Sequence, residues 1–410
     1  MAANLTERHV SRLVFDALAD TPVVVVNGAR QAGKSTLLES LEHPMDVVTL
    51  DNATTRASAS FDPARFVDRP ETTLAIDEVQ RVPDLLLAIK ESVDRDRRPG
   101  RFILTGSTRL LTTPRLSETL AGRVDIIDLW PFSVAERRGS RATFIDRLLS
   151  GALAECVAPP TTRSQYLDLV VEGGYPEALQ RDGTRRSRWF SNYVTTVVER
   201  LADDVAAIER LHEMPTLLQL CAARTGTEIN VARLANETGI PARTLSTYLA
   251  HLQTVFLLQL LPAWSTNLSS KVVHKPKLIL SDTGLAAHLL GLDRAGLDQA
   301  DAPLGPLFEN FVAMEVRKQL PLTVLDPSLF HFRNRDGVEV DLVLQTRRGN
   351  VAGLEVKASS TVIGADFAGL RFLEQRLGPK FTAGVVLYTG TDLVRFGKSL
   401  WAAPMSALWS

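Results

Sequence analysis

The chain has 410 residues, of which 45% are hydrophobic and 23% charged, which predicts a folded protein of about two to four domains. Its formal net charge of −1 excludes a chain that is basic throughout, so any nucleic-acid surface must be local. The two cysteines, Cys156 and Cys221, lie far apart without metal-ligand spacing, which excludes a disulfide framework and indicates a reducing, cytoplasmic compartment. A polar N-terminus and the lack of any run of about 18 apolar residues predict neither a signal peptide nor a membrane span.

The first elements in chain order are a helix over residues 7–19, a buried strand of four valines and a glycine-rich loop. In the loop, Gly28 is followed by four residues and then by Gly33-Lys34-Ser35, and an apolar helix comes next. This is the phosphate-binding loop pattern, in which glycines let backbone N–H groups surround phosphate oxygens. We expect Lys34 to reach the β- and γ-phosphates and Ser35 to bind Mg²⁺.

A short apolar strand is predicted over residues 46–52, and the next buried strand, Leu74–Ile76, has Asp77 and Glu78 at its carboxyl end. Carboxylates at the end of a buried strand are costly unless they have a partner there, and a nucleotide site supplies one. Asp77 would hold the magnesium and its water shell, and Glu78 would polarise the attacking water. The alternative is that Asp77 only caps the helix that follows.

The next strand, over residues 101–105, leads into a polar turn in which Ser107 is the candidate to sense the γ-phosphate. Its alternative is to cap a helix over the following "TRLLTT". One more strand, over 124–129, completes a doubly wound parallel α/β sheet, and such sheets bind ligands at the carboxyl ends of their strands.

Arg109 and Arg123 are the arginines expected to meet a γ-phosphate, because the planar guanidinium stabilises developing charge there. If either arginine reaches the nucleotide from a neighbouring subunit, ATP hydrolysis requires assembly of the oligomer. The alternative is that each is an ordinary surface arginine.

The middle of the chain, from 140 to 225, is predicted to be helical. Over 229–264 the sequence predicts a helix ending at Gly239, a second helix from Pro241, and strands resembling the wing of a winged helix. DNA binding would use the second helix through Arg243, Thr244, Ser246 and Thr247. The alternative is a winged-helix module that serves as an ATPase lid.

The C-terminal part predicts a helix over 304–320 and three strands over 329–359. Side chains alternate along a strand, so the polar residues of neighbouring strands can share one face of the sheet. The candidate second site consists of Glu309, Asp341, Glu355 and Lys357. This pattern resembles the active-site signature of restriction-endonuclease-like nucleases, which use carboxylates and a lysine to hold magnesium and orient water. The alternative is a face whose charges pair with one another or with Arg333 and Arg335.

The chain as a whole resembles a widespread prokaryotic family. The motifs follow one another as "GARQAGKSTLL", "LAIDEVQRVPDLLLAIK", "FILTGSTRL", "TLAGRVDIIDLWPFS", "VEGGYPEAL" and "FENFVAMEVRK" with "GLEVKAS". The family pairs an AAA-type ATPase domain of the AAA_14 group with DUF4143, a C-terminal domain of unknown function. The resemblance implies ATP and Mg²⁺ as cofactors, Asp77-Glu78 as the magnesium and catalytic pair, and a nucleotide loop of Gly28, Ala29, Arg30, Gln31, Ala32, Gly33, Lys34, Ser35 and Thr36.

The expected domains are an ATPase domain over 1–135, a helical connector over 136–225, a winged-helix-like domain over 226–290 and a restriction-endonuclease-like domain over 291–410. The expected function is magnesium-dependent ATP hydrolysis by a homo-oligomeric ring whose ATP cycle moves the C-terminal domains. Two alternatives stay open, an ATP-switched DNA-binding regulator and an ATP-linked nuclease. No membrane partner is expected, and the sequence names no protein partner.

Overall fold

The computed structural model describes residues 5–69, 71–109, 120–204, 211–265 and 275–410. Packing divides the chain into two units. The first comprises Met1–Pro131 and Thr254–Phe256, and the second comprises Phe132–Gln253 and Leu257–Ser410. Within the described ranges, every helix is too short or too polar to span a lipid bilayer.

A five-stranded sheet forms the centre of the first unit. Its strands are β1 Val23–Gly28, β2 Met45–Thr49, β3 Thr73–Asp77, β4 Phe102–Gly106 and β5 Val124–Leu129. They lie in the order β2-β3-β4-β1-β5, and all neighbouring strands are parallel. The predicted doubly wound parallel sheet is thereby confirmed, and the carboxyl ends of β1, β3 and β4 share one edge.

Both faces of this sheet are covered, because β1 is apolar on both sides. Val23 and Val25 belong to one core cluster, and Val24 and Val26 belong to the other. The described helices of this unit are α1 Ser11–Asp20, α2 Lys34–Ser40, α3 Ala53–Phe61, α4 Pro63–Phe66 and α5 Leu85–Arg95. The alternation of neighbouring side chains across a strand explains how four consecutive valines fill two cores.

The second unit begins with helices and a short ribbon. The helices are α6 Val134–Arg138, α7 Phe144–Ser150, α8 Arg163–Glu172, α9 Pro176–Leu179, α10 Gly183–Asp204, α11 Met214–Ala223, α12 Val231–Thr238 and α13 Ala242–Thr254. The ribbon consists of the antiparallel strands β6 Leu258–Leu261 and β7 Lys277–Leu280. The predicted helix pair is confirmed, since α12 ends at Gly239 with φ 70° and α13 buries Leu245, Tyr248, Leu249 and Leu252.

A six-stranded mixed sheet forms the C-terminal part of the second unit. Its strands are β8 Ser328–Arg333, β9 Glu339–Gln345, β10 Val351–Val356, β11 Phe381–Tyr388, β12 Val394–Arg395 and β13 Leu400–Pro404. They lie in the order β12-β13-β11-β10-β9-β8. The three predicted strands are β8, β9 and β10, in which the central β9 is antiparallel to both neighbours, whereas β11 joins β10 in parallel.

The remaining helices of this unit are α14 Thr283–Leu289, α15 Arg294–Leu297, α16 Leu304–Gln319 and α17 Ala368–Leu377. The 3₁₀ turns of the chain are Val79–Arg81, Leu153–Glu155, Leu211–Glu213, Leu320–Leu322, Gly364–Phe367, Gly378–Lys380 and Met405–Trp409. The long helix α16 is almost wholly buried, so its few polar side chains need partners inside the fold.

Candidate nucleotide site and C-terminal carboxylate site

The loop between β1 and α2 adopts a backbone conformation that depends on its two glycines, Gly28 and Gly33. Gly33 has φ 98°, in the left-handed region that L side chains rarely adopt. A Cβ atom at Gly28 would lie 2.4 Å from the carbonyl oxygen of Leu129, so β5 passes too close for a side chain. The other predicted loop residues lie in this turn or in the first turn of α2, and they are Ala29, Arg30, Gln31, Ala32, Lys34, Ser35 and Thr36.

Lys34 lies folded beneath the loop and is 5% exposed. Its Nζ donates hydrogen bonds of 3.0 Å to the carbonyl oxygens of Gly28 and Ala29. Burial lowers the pKa of the Lys34 ammonium, and the nearby carboxylates of Glu78 and Asp77 offset part of that shift. Among the described residues, no carboxylate lies within ion-pair distance of Lys34, so its direct partners are neutral carbonyls.

Asp77, at the end of β3, is buried against two hydroxyl groups. It accepts a hydrogen bond of 2.9 Å from Ser35 Oγ and a second one from Thr105 Oγ1. The capping alternative is excluded, because the residue before the 3₁₀ turn is Glu78 and the residue before α5 is Asp84. Hydroxyl and carboxylate oxygens are the ligands that Mg²⁺ prefers, so the donor set of Ser35 and Asp77 fits that ion.

Glu78 adopts a left-handed backbone, with φ 57° and ψ 45°. Such a conformation costs about 1–3 kcal/mol for a residue with a side chain, and it persists where neighbours hold it. Its backbone N–H donates to Thr105 Oγ1 over 3.2 Å, and its Oε2 accepts from Ser107 Oγ over 3.0 Å. Gln80 Nε2 donates to both Glu78 Oε2 and Ser107 Oγ. The carboxylate is therefore held at the same sheet edge as the loop.

Ser107 directly contacts Glu78, which places the predicted sensing residue beside the predicted water-polarising carboxylate. Its alternative, capping a helix over 108–113, falls largely on residues 110–113, which lie outside the described residues.

The two predicted arginines occupy different places. Arg109 follows β4, where its Nη2 lies 3.5 Å from Asp128 Oδ2 and its guanidinium stacks over the Phe256 ring at 4.8 Å. Arg123 donates through Nε to Asp94 Oδ1 over 2.7 Å. Arg109 thus lies at the carboxyl edge of the sheet, where the phosphate loop begins, and it contacts residues of its own chain.

The prediction for Arg123 needs a correction. It precedes β5, and its carbonyl oxygen accepts from the backbone N–H of Val23 at the start of β1. The phosphate loop follows the other end of that strand, six residues further on. At about 3.3 Å per residue, Arg123 is on the order of 15–20 Å from the loop of its own chain. It cannot meet a γ-phosphate bound there.

In the second unit, the structure brings the predicted carboxylates together. Asp341 Oδ2 accepts a 2.8 Å hydrogen bond from the backbone N–H of Val356, which ties β9 to the end of β10. Lys357 Nζ lies 3.2 Å from Glu355 Oε1. Glu309, on α16, faces the same cluster.

An additional residue, Lys277, lies at the centre of this cluster. Its Nζ lies 2.6 Å from Glu309 Oε1, 2.7 Å from Glu339 Oε1 and 3.6 Å from Asp341 Oδ1. Burial alone would lower the pKa of Lys277, but the carboxylates outweigh burial and raise it. Burial, followed by the charge of Asp341, raises the pKa of Glu309 and of Glu355 to about 8. Burial and the repulsion among its carboxylates therefore favour the protonated, neutral forms of Glu309 and Glu355.

Family comparison places these two sites in separate domains. The chain matches the AAA domain family AAA_14 over residues 20–137 and the domain of unknown function DUF4143 over residues 304–408. It is an AAA-domain protein with a C-terminal DUF4143 domain. A further domain of unknown function, DUF8612, matches residues 163–296.

Two uncharacterized mycobacterial proteins are similar to this AAA-domain protein. One is from Mycobacterium bovis and the other from Mycobacterium tuberculosis, and each is 28% identical over 359 residues, which covers 87% of this chain and 75% of the relative. Among solved structures, a RuvB variant from Thermotoga maritima has a TM-score of 0.27 and 20% identity over 61% of this chain and 88% of that chain. AMPPCP-bound DnaA from Aquifex aeolicus has a TM-score of 0.29 and 13% identity over 61% of this chain and 90% of that chain. At these scores the likeness carries no functional argument.

The AAA domain contains two polar residues that sequence reasoning missed. Arg8 is 6% exposed, and it donates to the carbonyl oxygens of Ala32, over 2.7 Å, and Trp130, over 2.6 Å. Gln80 bridges Glu78 and Ser107. Gln80 follows the acidic pair by two residues, so its position offered a signal, whereas nothing near Arg8 in the sequence points to the loop.

Helix α13 presents part of its predicted DNA-binding face to solvent. Arg243, Ser246 and Thr247 are exposed, and Thr244 is half-buried. The hydroxyls of Ser246 and Thr247 bond to backbone carbonyls one turn back in their own helix. The accessible feature of this face is therefore mainly the Arg243 charge.

Proposed function

We propose that the AAA domain binds ATP with Mg²⁺ and hydrolyses it. The observation that carries this proposal is the direct contact of Glu78 with Ser107 at the sheet edge where Asp77 contacts Ser35. A phosphate loop alone supports binding. A held carboxylate one residue after the magnesium candidate adds a group able to activate water.

Each residue of this site has a role that follows from its contacts. Lys34 now donates to neutral carbonyls, and phosphate oxygens would accept stronger, charge-assisted hydrogen bonds from it. Ser35 and Asp77 would hold Mg²⁺, which when bound neutralises charge on the β- and γ-phosphates. Glu78 would accept a proton from the attacking water, with Ser107 and Gln80 fixing the position of its Oε2.

The proposal extends to a homo-oligomeric ring with nucleotide between subunits. Arg109 pairs with Asp128 and Arg123 pairs with Asp94, so both candidate arginines are held by carboxylates of their own chain. We infer that the arginine for the γ-phosphate comes from a neighbouring copy, and Arg109, which lies at the ligand edge of the sheet, is the candidate.

The test is nucleotide binding and steady-state ATP turnover of two variants. Lys34→Ala should lose ATP binding, because the ammonium that faces the phosphates is gone. Glu78→Gln should bind ATP as the wild type does but turn it over about 10²–10⁴-fold more slowly, since it keeps its shape and loses the proton acceptor.

Glu91→Gln supplies the matched control, because Glu91 is an exposed glutamate on α5 in the same domain. It should retain wild-type turnover. Wild-type turnover by Lys34→Ala or Glu78→Gln would eliminate the ATPase proposal.

A second proposed function is DNA binding through α13, supported by the exposure of Arg243. Binding to phosphates releases counterions, so affinity should fall steeply as salt rises. Arg243→Glu should abolish binding to duplex DNA at low salt, whereas Arg185→Glu, the same charge change at the exposed start of α10, should not. If the wild type shows no binding at low salt, the interpretation of this module as an ATPase lid is favoured.

A further inference from the structure

The carboxylate cluster of the DUF4143 domain does not fit the metal that its nuclease-like pattern implies. A divalent ion needs several oxygen ligands converging on one point. Here that point is occupied by a side chain of the protein. Lys277 Nζ contacts Glu309, Glu339 and Asp341 at 2.6, 2.7 and 3.6 Å.

We propose that the Lys277 ammonium is the built-in cation of this cluster, and that it closes the DUF4143 carboxylates to divalent metal. An ammonium and a metal ion cannot share three carboxylate oxygens, because both are cations and would lie within a few ångströms of each other. With Lys277 in place, the domain cannot position a metal for phosphodiester cleavage.

The backbone around Lys277 is fixed on both sides, so the side chain is not a loosely placed surface lysine. Lys277 pairs with Leu261 in the ribbon and forms a bridge with Glu228. The next residue, Leu278, donates its N–H to the carbonyl oxygen of Thr227 and accepts from Gly226 N–H. The Lys277 side chain is itself only 2% exposed.

Most of the other oxygens that a metal would need are already engaged. Asp341 Oδ2 accepts from Val356 N–H, and Glu355 Oε1 faces Lys357. Within the described part of this cluster, Glu355 Oε2 is buried without a donor. With the Lys277 ammonium on the facing oxygens of Glu309, Glu339 and Asp341, Glu355 Oε2 does not by itself supply the several converging ligands that a divalent ion needs. Consistently, no group of three or more His, Cys, Asp or Glu residues among those described has the geometry of a metal site.

The direct test measures Mn²⁺ binding by calorimetry and by electron paramagnetic resonance, on full-length protein without nucleotide. The wild type should show no binding that depends on Asp341. Lys277→Met should gain one equivalent of Mn²⁺, and the added substitution Asp341→Asn should remove it. Lys318→Met is the matched control, since Lys318 is a partly buried lysine of the same unit paired with Glu315 over 2.8 Å, and it should gain none.

Two results would overturn the proposal. One is a folded Lys277→Met or Lys277→Gln protein that gains no Mn²⁺. The other is wild-type protein that binds Mn²⁺ and loses it on Asp341→Asn, and this comparison needs no Lys277 variant to fold. Because ATP turnover lies in the AAA domain, failure here would leave the ATPase proposal standing, and Glu78→Gln provides the separate test of that activity.

Discussion

Lys34 and Lys277 are both buried near carboxylates, and their surroundings differ in one respect. Lys34 donates to two neutral carbonyl oxygens, and burial lowers its pKa. Lys277 contacts three carboxylates, which raise its pKa in spite of burial. A buried lysine without a contacting anion can bind an anionic group of a ligand, whereas a lysine already paired with carboxylates stabilises the fold. Similar residue types therefore support opposite interpretations of the two sites.

The largest expected effect is on stability in the absence of nucleotide. Lys277→Met leaves buried carboxylates unpaired and should lower the free energy of unfolding of the second unit by about 3–5 kcal/mol. Lys34→Met removes a desolvated ammonium along with two hydrogen bonds, and should change stability by about 1 kcal/mol or less. Chemical denaturation of both variants measures the difference.

Lys277→Arg is the control for this comparison, because it keeps the positive charge and should lose less stability than Lys277→Met. Equal destabilisation by the two methionine variants would break the comparison, since it would mean that contact with carboxylates does not distinguish the lysines.

The second prediction concerns the backbone beneath the phosphate loop. Gly28→Ala would place a Cβ atom 2.4 Å from the Leu129 carbonyl oxygen, so β1 and β5 must separate. Overpacking of this kind costs about 1–3 kcal/mol, and it should also weaken ATP binding by moving the loop. Thermal unfolding and nucleotide titration measure the two effects.

Gly305→Ala is the matched control, because a Cβ at that helical position meets nothing within 4 Å. It should be neutral or slightly stabilising. Unchanged ATP affinity in Gly28→Ala would show that the close approach of β5 is not needed for the nucleotide loop.

The difference between the sites also explains what the sequence could predict. The phosphate loop and the Asp77-Glu78 pair were recognisable because glycine spacing and a buried strand are local patterns. Lys277 was not, since it stands 32 residues from Glu309 and looks like the start of an apolar strand. Arg8 lies 24 residues from Ala32 and 122 from Trp130, and no local pattern joins them.

Two further differences between the sequence-based predictions and the structure have physical reasons. Arg123 precedes a parallel strand, so its distance from the ligand edge could have been recognised once that strand was predicted. Strands β11, β12 and β13 lie beyond residue 359, where the sequence analysis assigned no strands. β11 pairs in parallel with β10, and β13 pairs in parallel with β11. Parallel pairs join segments that are far apart in the chain, which local alternation does not reveal.

The third prediction concerns Arg8, which lies outside the sequence motifs of the nucleotide site and hydrogen-bonds to the phosphate loop. Arg8→Ala removes two buried hydrogen bonds from a charged donor to the Ala32 and Trp130 carbonyls. We expect ATP affinity to fall about tenfold, because bonds of this type contribute about 1.5–3 kcal/mol and part of that loss should appear as loop disorder. Titration with a fluorescent ATP analogue measures it.

Arg12→Ala serves as the control, since Arg12 is exposed and pairs at 3.9 Å with Asp16. It should leave ATP affinity unchanged. If Arg8→Ala lowers the unfolding temperature but binds ATP as the wild type does, Arg8 supports only the fold and does not position the loop.

The smallest expected effect is that of Arg123→Ala. Arg123 pairs with Asp94 in a partly exposed setting, and such pairs contribute about 0–1 kcal/mol. Its position at the far edge of the sheet predicts unchanged ATP turnover at every protein concentration. Arg109→Ala, at the ligand edge, should instead lower turnover where copies assemble. A concentration-dependent loss of turnover in Arg123→Ala would reverse this assignment and identify Arg123 as the residue that reaches a neighbouring subunit's nucleotide.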